Sequence, residues 1–149
     1  MKTPRARRVV RFVRDERGAA LVEFAMISVV LMILIFGIID FGRALYTKNS
    51  LTNAAREGGR YAAVLLAPEA NTSAIQDTVI AHMSPLGGAS LTRDEVVVSF
   101  NAVGGKVQSI TTTINYPFEP ITPIARLIGL DPLTLRASAQ FRWEYSITT

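Results

Sequence analysis

The chain has 149 residues, no cysteine, one histidine and a net charge of +4. Without cysteine there is no disulfide, thiolate metal site or Cys nucleophile, and His82 has no second histidine with which to hold a metal. The excess positive charge belongs to residues 1–18, where seven Lys/Arg accompany two acidic residues; the remainder carries nine basic and ten acidic side chains, which argues against a nucleic-acid-binding face on a folded domain.

Behind this basic leader, Ala19 to Ile39 is a run of 21 residues in which Glu23 is the one charge and Ser28 the one other polar side chain. A helix rising about 1.5 Å per residue carries such a run across roughly 30 Å, the thickness of a hydrocarbon core. A cleaved secretory signal is the alternative, because Gly42-Arg43-Ala44 offers small residues at the spacing a signal peptidase accepts. The run exceeds the roughly 7–15 apolar residues of a signal core and contains a carboxylate, so a retained anchor is favoured. The positive-inside rule then places the leader in the cytoplasm and everything after Asp40 on the far side of the membrane, the periplasm or exterior of a bacterium. Glu23 is the anomaly. A carboxylate at the centre of a span costs about 2.5–3.5 kcal/mol and less near the interface, so it needs either a partner or a place at the membrane edge.

Helical patterning continues past the span. Phe41, Leu45, Leu51, Ala55, Gly58, Gly59, Ala62 and Leu65 form an apolar or small stripe, with Arg43, Thr47, Ser50, Asn53, Glu57 and Arg60 on another side, as in an amphipathic helix. Ala54/Gly58/Ala62 and Ala55/Gly59/Ala63 repeat a small residue every fourth position, which permits close backbone approach; the paired glycines mark either a kink or a tight contact. With Pro68 as the stop, one helix is expected over residues 19–66, transmembrane at about 19–39.

Residues 67–149 are expected to form an α+β head. A short helix spans Asn71–Ser84, capped by Thr72 or Ser73, with Ile75, Val79, Ile80 and Met83 inward and Pro85-Leu86-Gly87-Gly88 ending it. Strands follow at Glu95–Ala102 and Lys106–Tyr116, joined by a Gly104-Gly105 turn, and at Leu133–Tyr145, whose apolar residues alternate with Arg136, Ser138, Gln140, Arg142 and Glu144. Pro117, Pro120, Pro123 and Pro132 punctuate the loop between the last two strands, which has room for a helical turn at Ile124–Ile128. The expected architecture packs the small stripe of the long helix against a three-stranded antiparallel sheet.

No catalytic constellation is present: no Gly-x-Ser-x-Gly elbow, no phosphate loop, and acidic residues that are scattered. Asp94-Glu95 reads as a solvated strand edge, and Glu57 with Arg60 as a surface pair. An enzyme, a cofactor or a metal centre is therefore not expected.

Gly18 followed by Ala19-Ala20-Leu21-Val22-Glu23-Phe24 resembles the processing site of type IV pilin-like proteins, in which a basic leader ends at a glycine and a glutamate stands fifth in the mature chain. Glu23-Phe24-Ala25, Asp40-Phe41-Gly42-Arg43-Ala44-Leu45-Tyr46 and Ala54-Ala55-Arg56-Glu57-Gly58-Gly59-Arg60 are similar to the TadE-like family of tight-adherence (Tad, or Flp) pilus assembly proteins. Phe24, Asp40, Gly42, Arg43, Tyr46, Arg56, Glu57, Gly58 and Arg60 carry that resemblance. The chain departs from the family pattern in having no proline within the span, in beginning its mature sequence with alanine, and in placing Gly59 where an alanine is usual. The resemblance implies a minor pilin or pseudopilin of the inner membrane, cut by a prepilin peptidase between Gly18 and Ala19. Its Glu23 would pair with the new amino group of Ala19 on a neighbouring subunit. Implied partners are other pilin-like subunits, the peptidase, an inner-membrane assembly platform and the lipid bilayer, with no nucleic acid. An unprocessed, membrane-anchored binding module and a secreted protein cut after Ala44 are the alternatives.

Overall fold

The computed structural model describes residues 16–83, 90–123, 125, 129 and 132–143. Helix α1 covers Glu16–Ala63, followed by a 3-10 turn at Glu69–Asn71, helix α2 at Thr72–Ala81, a 3-10 turn at Arg93–Glu95, and strands β1 (Val96–Val103), β2 (Lys106–Phe118) and β3 (Leu133–Arg142). The α+β layout expected from the sequence is thus the observed one. Pro85–Gly88, Glu144 and Tyr145 lie outside the described residues, as does the expected turn at Ile124–Ile128 apart from Ala125.

The chain divides into two compact units, one ending at Ile35 and one running from Phe36 to Thr149. In the first, the apolar stretch of α1 covers none of its own surface: Leu21, Val22, Phe24, Val30 and Leu34 are each at least 59% exposed. A helix apolar all round requires lipid or other chains about it. Among the described residues it is the one helix long and apolar enough to cross a membrane.

In the second unit, the sheet has strand order β1-β2-β3 and both pairings are antiparallel. Gly104 and Gly105 have φ of +61° and +76°, the left-handed pair that a tight hairpin turn demands and that glycine adopts without a Cβ penalty. Ile110, Thr112, Ile114, Tyr116 and Phe118 all face the core, as the alternation required. A register shift between Asn101 and Ala102 leaves one extra residue on β2. This bulge resets the side-chain phase, so Val107 points inward although it breaks parity with Ile110.

The core of this unit joins the later turns of α1 to α2 and the sheet. Leu51, Ala54, Ala55, Val79, Val96, Ile114 and Ala137 pack in one cluster, and Ala62, Ile75, Val107 and Ile110 in a second. Each fully buried Leu, Ile or Val contributes about 1.5–3 kcal/mol by leaving water. The glycine pair marks a tight contact. A methyl on Gly58 would overlap Val79 Cγ2, and one on Gly59 would overlap the ring of Phe141. Gly59 is the seat on which β3 lays its phenylalanine.

Three expectations are corrected. The inward stripe of α1 is not phased on Phe41 and Leu45, which are 65% and 49% exposed; it passes through Asp40, Arg43, Ala44 and Thr47 before reaching Leu51. Thr47, placed on the polar side by the sequence pattern, is 3% exposed. Neither Thr72 nor Ser73 caps α2: the cap position is Asn71, without a side-chain cap bond, and the Thr72 hydroxyl donates to Glu69 O at 3.1 Å. The small 3-10 turn before α2 supplies that carbonyl, so the hydroxyl turns back to it.

Candidate functional site

The residues singled out from the sequence fall at two places. At the start of α1, the Gly18–Ala19 bond lies in the first turn of the helix, which begins at Glu16. Glu23 and Phe24 are exposed on the apolar stretch that follows. Among the described residues Glu23 has no ion-pair partner. One turn separates it from Ala19, so an amino group freed at Ala19 would stand on the same helix face. That group would also sit at the positive end of the helix dipole, where a cation is disfavoured and a carboxylate is sought.

The second place is where the apolar run ends. Asp40 Oδ1 accepts the backbone N–H of Ile121 at 3.0 Å, and Oδ2 accepts the N–H of Thr122 at 3.3 Å and the Thr122 hydroxyl. One turn on, Arg43 Nη1 lies 3.9 Å from Asp40 Oδ1 and donates to Glu119 O at 3.4 Å. The Arg43 guanidinium stands 5.3 Å from the centre of the Phe118 ring, within the range of a cation–π contact. The side chains of Asp40 and Arg43 are only 13% and 21% exposed. Read from the sequence as boundary markers, these two residues also fasten the Pro-rich loop after β2 to the helix.

That loop was missed as a functional element, for a plain reason. Ile121 is 81 positions from Asp40, and Glu119-Pro120-Ile121-Thr122-Pro123 carries no motif. Its one legible signal was the proline spacing. Beside it, Arg43, Thr47, Glu95, Tyr116, Phe118 and Glu119 help line a recess of about 420 Å³. Burial pushes the Tyr116 hydroxyl above its ordinary pKa, with the Glu95 charge acting in the same direction. Glu95 itself is engaged at the strand's entrance, accepting Thr92 N–H at 2.7 Å and Thr92 Oγ1 at 3.0 Å.

The other motif residues disperse. Nothing lies near the position a Cβ would occupy on Gly42, Tyr46 is 45% exposed, and Arg56 points to solvent. Glu57 and Arg60 form the expected pair, with Arg60 Nε 3.1 Å from Glu57 Oε2. That hydrogen bond holds the Glu57 carboxyl below its ordinary range. Lys48 donates to the carbonyl of Arg136, and the Trp143 indole donates to Leu65 O at 2.9 Å. The first bond ties the helix to β3, and the second joins the residues just beyond the C-terminal ends of both. His82 is an exposed side chain at the C-terminal cap of α2, with Nδ1 2.8 Å from Thr78 O.

No curated protein and no solved structure matches the chain. A family model does, described as TadE-like protein and matching residues 18–60. The matched segment opens at Gly18, contains Glu23 and the Asp40–Arg43 clamp, and closes on Arg60. The chain therefore carries a TadE-like segment that coincides with nearly the whole of α1.

Proposed function

We propose that this protein is a minor pilin or pseudopilin of a Tad pilus: a structural subunit, not a catalyst, that primes, caps or supports assembly after a prepilin peptidase cuts between Gly18 and Ala19. The TadE-like segment supports a Tad-pilus association and a pilin-like build. The observation that carries the finer reading is Glu23, an exposed carboxylate inside an apolar stretch, with no ion-pair partner among the described residues. A charge there is costly until it is paired. Cleavage creates the missing cation, the Ala19 ammonium, which a neighbouring subunit presents when the helices pack side by side. In this reading the basic leader stays in the cytoplasm, the second unit lies in the periplasm, and the partners are other pilin-like helices, the peptidase, the assembly platform and the bilayer.

The test is the N-terminal residue and intact mass of the protein from native cells, with and without the peptidase. A chain beginning at Ala19 only when the peptidase is present supports the reading; Met1 in both strains overturns it. The recess beside Arg43 and Tyr116 favours a second reading, an unprocessed membrane-anchored binding module, and the Met1 outcome would select it.

A further inference from the structure

The Asp40 clamp fixes where the loop after β2 sits. Asp40 is the first charged residue after the apolar run, so it stands at the membrane surface if that run is the anchor. Ile121 N lies 3.0 Å from its carboxylate, so the loop is fastened at the end of the apolar run, whose last residues Ile38 and Ile39 are 64% and 47% exposed. Ile121 is itself 68% exposed, an isoleucine offered at the tip of a loop.

Backbone accounting points the same way. A loop that enters the boundary between headgroups and acyl chains gives up part of its water, so N–H groups already bonded within the protein lower the cost of that entry. Pro117, Pro120 and Pro123 have no N–H. The N–H groups of Ile121 and Thr122, with the Thr122 hydroxyl, are all given to Asp40, and Glu119 O is taken by Arg43. The tip of the loop thus shows its surroundings an apolar side chain whose own N–H, with that of Thr122, is already bonded. Thr122 and Pro120 are turned inward, while Ile121 projects with Glu119 and Pro123 exposed on either side of it.

We infer that the 119–123 loop is a second membrane contact: Ile121 enters the boundary between headgroups and acyl chains on the side of the bilayer where the span emerges, and Asp40 holds it there. The occupant of this surface is lipid. The span supplies the affinity; the loop fixes how the second unit stands on the membrane, since one helix alone leaves it free to turn about the helix axis. Asp40 therefore acts as a positioning residue for a lipid contact as well as the mark where the apolar run ends.

The inference rests on reading the apolar stretch as an anchor, and the experiment separates the two. The chain lacks cysteine, so single variants Ile121→Cys, Ser28→Cys and Val103→Cys can each carry an environment-sensitive fluorophore in the full chain. They are reconstituted into phosphatidylethanolamine/phosphatidylglycerol vesicles with or without a nitroxide near the lipid headgroups or along the acyl chains. The label at Ser28 should be quenched by acyl-chain nitroxide. The label at Val103, beside the hairpin glycines, should be quenched only by aqueous iodide. The label at Ile121 should lose emission to the shallow lipid nitroxide and be shielded from iodide. Adding Asp40→Ala to Ile121→Cys should abolish that shielding while Ser28 stays lipid-quenched. If Ser28 is lipid-quenched and Ile121 responds only to iodide, the loop contact is overturned and the anchor stands. If Ser28 is not lipid-quenched, the anchor fails and the loop contact fails with it.

Discussion

One helix, α1, behaves as two different objects. Up to Ile35 its side chains are mostly large and apolar, and they are exposed; from Asp40 onward its inward side chains are polar, small or, at Leu51, a leucine, and they are partly or fully buried. Leu31 is 50% exposed and Leu51 is 0% exposed, although both are leucines in the same helix. The contrast shows that helix burial here does not follow hydrophobicity. The earlier turns have no partner in their own chain. The later ones are shaped, by Gly58 and Gly59, to let α2 and β3 approach.

The largest test of that contrast compares the two leucines. Leu51→Ala should lower the stability of the second unit by about 2–5 kcal/mol, the usual range for a buried leucine. Leu31→Ala should leave it unchanged within about 0.5 kcal/mol. Urea unfolding of the full chain in detergent, followed through the single tryptophan, reads both, because Trp143 is bonded to Leu65 O at the helix end. Equal effects would break the distinction.

A somewhat smaller loss is expected from Gly59→Ala. The methyl meets the Phe141 ring, and overpacking costs about 1–3 kcal/mol, against a helix-propensity gain of about 1 kcal/mol. Net stabilisation in the same urea experiment would show that Phe141 moves aside freely. Gly42→Ala, with open space at that position, should be stabilising by up to about 1 kcal/mol. The two alanines thus test the close approach itself.

Asp40→Ala should strand the N–H groups of Ile121 and Thr122, at about 1–3 kcal/mol. Hydrogen exchange should show both amides losing protection while those of β2 keep theirs; unchanged protection would mean that the clamp is dispensable. Thr112→Val is expected to act in the opposite direction. Thr112 Oγ1 is buried without a hydrogen-bond partner among the described residues, so removing it should raise stability by up to about 1 kcal/mol.

The smallest effect concerns acid. Arg93 makes a two-pronged bond to Asp77, both arms at 2.7 Å, and this hydrogen bond holds the Asp77 carboxyl below its ordinary value. A carboxylate depressed in the folded state adds stability above its unfolded pKa and loses it as pH falls through the folded one. The urea midpoint should therefore fall below about pH 4, and Asp77→Asn should flatten that fall slightly. Both groups are exposed, so solvent screens the pair. A steeper acid loss in the variant would contradict the assignment.

Much of this was legible in the residues. The span, the hairpin at Gly104-Gly105 and the three strands follow from local pattern, because the length of an apolar run and the alternation along a strand are properties of neighbouring residues. The TadE-like pieces could be matched for the same reason: Glu23, Asp40 and Arg43 lie within a single stretch of helix. The phase of the inward face near Asp40 was misread because Phe41 and Leu45 looked like core residues. Their hydrophobicity could not reveal that the loop beside them fastens to a carboxylate instead.

The sequence by itself determined the elements, their order and the position of each charge relative to the apolar run. Tertiary structure alone decided that Gly58 and Gly59 are points of close contact, that Thr47 is buried, and that Asp40 holds a loop 81 residues away. Those facts depend on which surfaces meet, and a meeting of distant segments leaves no periodicity in either one.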